Sequence, residues 1–353
     1  MSIYSRKFKG SLLAAALGDA IGSFGECLHY RTVDRKYTTL PPRNFRGRIP
    51  YSDDTALRLV LYDTILSSNL NAFNLAAEWG KRAVDNRVYW TSELYVTSMI
   101  LTGEDPHRIG HGNILGDNAA MAADPIGMLY PCLDELAALR AYETMSVCQS
   151  GKGLEGAMAV AAAVSASCQP DVTLDEVIEA SRRWVSKPLR RRIDNAVSIA
   201  SSAGDPRRRL YEAVVVDDGL TTLIRNEINS PRPVESARRL IDLSLRNEDI
   251  SMGISPFEVV PLAMGYVARG RKKPLNAILE AARFGRDCDT IAGISGAILG
   301  AINGIACLPA NYLRLLPTDL VARADWLAPR LTRKARRVLH SVSPSETAKG
   351  LFA

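Results

Sequence analysis

An all-α fold is predicted by three observations on the sequence. Apolar residues recur at spacings of three and four through successive segments, the period of helices with one buried face. Strand signals are nearly absent, Val214-Val215-Val216 being the one candidate. Caps and glycines bound the periodic stretches where helices start and stop.

The first helix is expected over residues 5–24, with Gly10, Ala14, Gly18 and Gly22 spaced by four and so on one face. Residues 28–51, rich in Pro, Arg and Tyr with little periodicity, read as a long loop, and a loop of that length in a compact domain usually has work to do. Tyr51-Ser52-Asp53-Asp54-Thr55 opens the helix 56–67. Ser52 suits an N-cap, and acids in the first turn suit the helix dipole. Further helices are expected at 73–86, 133–147, 154–168, 190–203, 205–215, 234–246 and 256–269, with a loop-rich region at 107–125 and a turn at Ser230-Pro231-Arg232-Pro233. Thr173-Leu174-Asp175-Glu176 is a capping box for a helix reaching about Val185.

Near the end of the chain, Pro274 to Phe284 places Leu275, Ile278, Leu279 and Ala282 on one buried face and stops at Gly285. Residues 291–305 are apolar but interrupted by Gly293, Gly296, Gly300 and Gly304. Each glycine costs about 1 kcal/mol relative to alanine inside a helix. A glycine stripe is explained by another helix backbone packed very close, and the small-residue face of the first helix is the candidate partner.

Between those two late helices lie Asp287 and Asp289, an expensive place for charge unless it is paired. Read singly, this joint and the one at Ser52 to Thr55 are capped turns. If the four aspartates converge, each like-charge pair at 4 Å costs about 4 kcal/mol at an effective dielectric of about 20. Such a cluster calls for a divalent cation. Ser, Thr and Asp are hard oxygen ligands without an accompanying His or Cys array, so Mg²⁺, Mn²⁺ or Ca²⁺ suits them better than Zn²⁺.

Other motifs are set aside on physical grounds. Gly151-Lys152-Gly153-Leu154-Glu155-Gly156 has the G-x-G-x-x-G spacing, but the segment before it is helical in pattern and no βαβ unit surrounds it. What remains is a helix start at Ser150 to Gly153 whose N–H groups suit a phosphate. His107 and His111 are four apart, yet Gly110 lies between them and Pro106 precedes them, so a helical zinc pair is not expected. Trp79, Trp90, Trp184 and Trp326 read as core or edge packing. Arg330, Arg333, Lys334, Arg336 and Arg337 read as the solvated face of a basic helix and tail over 331–353, and nucleic acid is not indicated. The net charge of +6 is compatible with phosphate-bearing ligands without demonstrating them. Six cysteines without a CxxC pair suggest reduced thiols and a cytoplasmic setting, and no run reaches transmembrane length.

Gly18-Asp19-Ala20-Ile21-Gly22 with Glu26, Ser52-Asp53-Asp54-Thr55, Ala119-Ala120-Met121 with Pro125-Ile126-Gly127, and Asp287-Cys288-Asp289-Thr290-Ile291-Ala292 together resemble the ADP-ribosylglycohydrolases. That family includes the dinitrogenase-reductase-activating and ADP-ribosylarginine or ADP-ribosylserine hydrolases and the J1 crystallins. The resemblance runs from Gly10 to about Ile305 and implies an orthogonal multi-helix bundle, a single domain over 1–330 with a central metal-binding cleft. It implies two Mg²⁺ or Mn²⁺ ions held by Ser52, Asp53 and Asp54 from one side and Asp287, Asp289 and Thr290 from the other. It further implies catalytic roles for Glu26, Asp54 and Asp287, and a substrate wall of Gly116, Asp117, Asn118, Met121, Cys148, Ser150, Gly151 and Gly153. The expected reaction is hydrolysis of the ribosyl bond of an ADP-ribosylated protein or small molecule. Asn118, Ala122 and Cys148 depart from the family pattern, which keeps a nucleoside-like or other small N-glycoside in play. A non-catalytic ADP-ribose-binding or structural relative is the third alternative.

Overall fold

The computed structural model describes residues 1–43, 45–82, 91–202, 204–215, 253–342 and 350–352. Helices dominate it, and among the described residues the only β pairing is a bridge between His29 and Gly285. In chain order the first nine helices are α1 (Ile3–Gly22), α2 (Tyr30–Lys36), α3 (Asp53–Ser67), α4 (Ala72–Arg82), α5 (Thr91–Leu101), α6 (Pro106–Ile109), α7 (Asn118–Met121), α8 (Asp124–Leu129) and α9 (Asp134–Thr144). The central part adds α10 (Lys152–Ser167), α11 (Leu174–Arg183), α12 (Lys187–Ala200) and α13 (Arg207–Val214). The late helices are α14 (Pro256–Arg269), α15 (Pro274–Ala281), α16 (Cys288–Asn303), α17 (Ala310–Leu313) and α18 (Thr318–Val342).

The centre of the bundle is the pair α1 and α16, buried along most of their lengths. Their backbones meet where glycine removes the side chain. A Cβ on Gly18 would lie 2.3 Å from the carbonyl oxygen of Ala292, one on Gly22 would lie 2.3 Å from Asp289 Cα, and one on Gly296 would lie 2.2 Å from Ala14 O. No side chain fits at those distances, so the expected seam between the two helices is present. Two of its predicted members do other work. Gly293 mainly makes room for the Arg58 guanidinium, whose Nη2 would be 2.9 Å from a Cβ there. Gly304 lies beyond α16 as its C-cap, at φ 68°.

Around this pair pack α3, α10, α14 and α15, with α18 lying along the outside. The predicted capping box is formed, Glu176 N donating to Thr173 Oγ1 at 3.2 Å and Thr173 N to Glu176 at 2.7 Å. The loop expected at 28–51 contains α2, which the pattern hides because Val33 is its one buried residue. The expected helix 234–246 and the turn at Ser230 to Pro233 lie outside the described residues, as does Trp90. Position 330, the boundary drawn between domain and basic tail, falls inside α18, whose Leu331, Ala335 and Leu339 are buried. Nor is its basic face wholly solvated: Lys334 donates to Ile65 O and Ser68 O at the end of α3, where a cation meets unsatisfied carbonyls.

Among the described residues no helix is long and apolar enough to cross a membrane. All six cysteines are free thiols.

Candidate active site: a buried acidic cluster

Two helix starts meet head to head in the middle of the bundle. Thr290 Oγ1, in the first turn of α16, donates to the Asp54 carboxylate in the first turn of α3 at 3.2 Å, across 236 positions of sequence. Both helix dipoles therefore turn their positive ends towards the same acids.

The α3 side is held from below by Asp19 of α1, which is fully buried. Its carboxylate accepts from Ser52 N at 3.0 Å, from Thr55 N at 3.1 Å and from the Thr55 hydroxyl. Ser52 is the N-cap, its side chain accepting from Asp54 N at 3.2 Å. Asp53 and Asp54 are thus fixed on a rigid turn and are 6 % and 3 % exposed. Beneath them Arg58, fully buried, donates from Nε to Asp124 at 2.8 Å and stands 3.7 Å from Asp54.

On the α16 side, Asp287 occupies the N-cap position, but its side chain does not cap the helix. That argues against the bland reading of this joint as an ordinary capped turn. The backbone entering it is constrained, with Gly285 at φ 77° and Arg286 at φ 57°, a region that non-glycine residues occupy only when their surroundings hold them there. Here they are held: Arg286 N donates to Leu28 O at 2.6 Å, Cys27 N donates to Arg286 O at 2.7 Å, and the Arg286 guanidinium is buried against Glu258. The same pairing carries Glu26 over the cluster.

The carboxylates touch one another. The side chain of Asp287 lies beside those of Asp117 and Asp289, and that of Asp289 beside Glu26. Contacts of that kind need a proton or a cation between the oxygens. Burial, then the negative charges of Glu93, Asp19 and Glu26, push Asp53 up to about 8. Burial and Asp19 raise Glu26 to about 7, while the neighbouring Asp289 side chain and the Cys27 thiol pull the other way. Asp54 is pushed well up by burial while Arg58 pulls the other way. Asp287 and Asp289 are raised well above the usual carboxylate range, by burial first and then by Asp117 and Glu26 respectively. Among the described residues no three His, Cys, Asp or Glu groups stand ready-made as a ligand set. The donor chemistry nonetheless fits a hard cation: the set is all oxygen, and Asp117 Oδ2 is buried without a partner.

The substrate wall is only partly as expected. Gly116, Asp117 and Asn118 are buried beside the acids, and Met121 belongs to the core. The Cys148 thiol is also fully buried; what it offers is its carbonyl, which accepts from Asn113 Nδ2 at 2.8 Å. Gly151 is exposed at φ 50° with open space around it. The expected free N–H groups are partly used, those of Gly153 and Leu154 donating to Ser150 O and Gly151 O. Gly153 serves packing instead, since a Cβ there would lie 2.5 Å from Gln149 Oε1.

Three residues absent from the sequence reading organise this wall. Asn113 Nδ2 bridges the carbonyls of Ser92 and Cys148, Gln149 Nε2 bridges Ile114 O and Asn118 Oδ1 at 2.9 Å each, and Glu93 is buried near Asp53 and Asp117. Gly110 packs so closely under the 146–149 turn that a Cβ would lie 2.2 Å from Gln149 O.

The fold and site define an all-helical bundle in which acidic turns from distant segments face each other. Sequence comparison gives the family: the chain matches the ADP-ribosylglycohydrolase family over residues 1–339 and belongs to it. It is 24 % identical to the ADP-ribosylhydrolase ARH3 of Xenopus tropicalis, covering 91 % of this chain and 93 % of that one. It is 28 % identical to an uncharacterised protein of Archaeoglobus fulgidus, covering 87 % and 90 %. A solved structure described as an ADP-ribosylglycohydrolase-related protein complex shares the fold, with a TM-score of 0.64 at 18 % identity over 94 % of this chain and 99 % of that one.

Proposed function

We propose that the chain hydrolyses the bond between the anomeric carbon of an ADP-ribose unit and its acceptor, at a site that takes two divalent cations, Mg²⁺ or Mn²⁺. The observation that supports this reading is the contact of Thr290 with Asp54, which joins the start of α16, with Asp287 and Asp289, to the start of α3, with Ser52 and Asp53. Those six would hold the ions, whose charge would stabilise the ionised carboxylates and lower the pKa of a bound water. The protein's own part is to orient. Asp19 fixes the α3 turn, the glycine seam fixes α16 against α1, and Arg58 offsets one negative charge beneath Asp54.

Glu26 is only partly buried and lies beside Asp289. Raised to about 7, it suits a group that takes or returns a proton near neutral pH. Asp54 and Asp287 face the same centre, and one of them accepts the proton of the attacking water. The wall at 116–118 positions the rest of the substrate.

The test is turnover of a panel: ADP-ribosyl-arginine, ADP-ribosyl-serine, ADP-ribosylated nucleic acid, and simple nucleosides. Asp287→Asn is expected to lower kcat by about 100-fold or more with the helical spectrum intact. Chelation should stop turnover, and Mg²⁺ or Mn²⁺ should restore it. Full activity in chelator, or in the variant, removes these residues from the mechanism. Binding of ADP-ribose without turnover of any substrate would instead favour a non-catalytic binder.

A further inference from the structure

Away from the acidic cluster the helices leave a second hollow. Residues of α11, α12, α14 and α15 enclose a cleft of about 650 Å³, within the range of about 300–1,000 Å³ that holds small-molecule ligands. None of its lining residues belongs to the acidic cluster or its wall. Asn276 and Lys273 place the cleft at the start of α15, whereas Asp287 follows the end of that helix, so about 12 Å of helix separates the two.

The lining is of two kinds. Leu174 and Ile178 of α11, Val197 of α12 and Ala277 of α15 are apolar, while Arg269, Arg271, Lys272 and Lys273 stand against two acids, Asp175 and Glu280. Both acids are engaged: Arg269 donates to Glu280 at 2.7 Å, and Arg271 to Asp175 at 3.2 Å. Arg269 also donates to Ala200 O at 3.0 Å, which ties α14 to the end of α12. Lys272 and Lys273 are exposed and, among the described residues, pair with no acid. Asn276 lies in the first turn of α15, which has no side-chain cap, and such a turn turns backbone N–H groups to an anion. An incoming cation would find the carboxylates taken, and an uncharged ligand would leave two ammonium groups unused. A phosphate meets both ammonium groups and the helix start together.

We propose that this cleft is a second binding site, for a phosphate-bearing molecule of mononucleotide size. Lys272, Lys273 and the start of α15 hold the phosphate, and Leu174, Ile178, Val197 and Ala277 receive the body of the molecule. The proposal does not depend on the reading of the acidic cluster.

The experiment is equilibrium binding of AMP, adenosine and inorganic phosphate to the full chain in chelator, so that the acidic cluster takes no cation. AMP should bind saturably, and adenosine and phosphate, each lacking part of the contacts, at least about 10-fold more weakly. Lys272→Glu/Lys273→Glu should weaken AMP at least about 10-fold and Lys272→Gln/Lys273→Gln less, whereas Asp287→Asn should leave it within about 2-fold. Melting curves verify that each variant is folded. Amine-reactive footprinting locates the ligand: AMP should protect Lys272 and Lys273 and leave Lys36 as reactive as before. A chain that binds neither AMP nor phosphate, or a glutamate variant that binds AMP as wild type does, overturns the proposal. Binding lost in Asp287→Asn but kept in the lysine variants also overturns it, since AMP would then lie at the acidic cluster, and the proposed function would stand. Phosphate bound as tightly as AMP overturns the part given to the apolar residues.

Discussion

The floor and the wall of the site are built by different physics. The floor is backbone against backbone: α1 and α16 touch through glycines, and Asp19 holds the start of α3 through its N–H groups. The wall is held largely by side chains, with Asn113 and Gln149 bridging three segments. A floor of that kind is stiff and costly to disturb. A wall of that kind hangs on single side-chain hydrogen bonds and is open to change by one substitution. The difference teaches where such a site can vary: single substitutions can rearrange the wall while the charged centre stays intact.

The largest break in that contrast should come from Arg58→Met. It removes the partner of Asp124 and the nearest positive charge to Asp54 in a fully buried setting, and breaking a buried ion pair from one side costs about 3–5 kcal/mol. Denaturant unfolding should register that loss, and Arg58→Met/Asp124→Asn should recover part of it; a loss below about 1 kcal/mol would mean the pair is not holding the floor. At the wall, Gln149→Leu leaves Ile114 O and Asn118 Oδ1 without their donor, at a cost of about 1–3 kcal/mol. Here ligand affinity should fall more steeply than stability. A variant that melts early yet binds as wild type would reverse the roles assigned to floor and wall.

The smallest effect per step is a pH dependence confined to the floor. Glu26 and Asp53 are raised to about 7 and about 8 in the folded chain, so without cations the folded state keeps protons that the unfolded state has released. The stability this gives is full below the ordinary carboxylate range, and it is lost as pH rises through 7 and 8. Its slope is at most about 1.4 kcal/mol per pH unit for each proton. Melting in chelator should therefore decline from pH 5 to 8.5, and saturating Mg²⁺ should flatten the decline. An equal decline with and without the ion would separate these acids from cation binding.

Legibility in the sequence followed the same division. Gly10, Gly18 and Gly22 repeat at multiples of four, and Gly296 and Gly300 answer them, so the seam was visible as two periodic stripes. Asp53, Asp54, Asp287 and Asp289 stood out because they sit where buried helices begin. Glu93, Asn113 and Gln149 are isolated polar residues whose neighbours carry no period, and nothing short of the folded chain brings them together. Arg58 looks like any helical cation until Asp124 and the hollow at Gly293 are seen beside it. The short helix α2 was missed for the converse reason, its polar surface covering one buried valine.

The seam also has a consequence during synthesis. Residues 3–22 leave the ribosome with their glycine face bare, and the segment that covers it, 288–303, follows only after more than 260 further residues. Contacts of such separation are slow to form. A nascent or prematurely terminated chain without residues 288–303 therefore has the α3 side of the charged centre and lacks the α16 side.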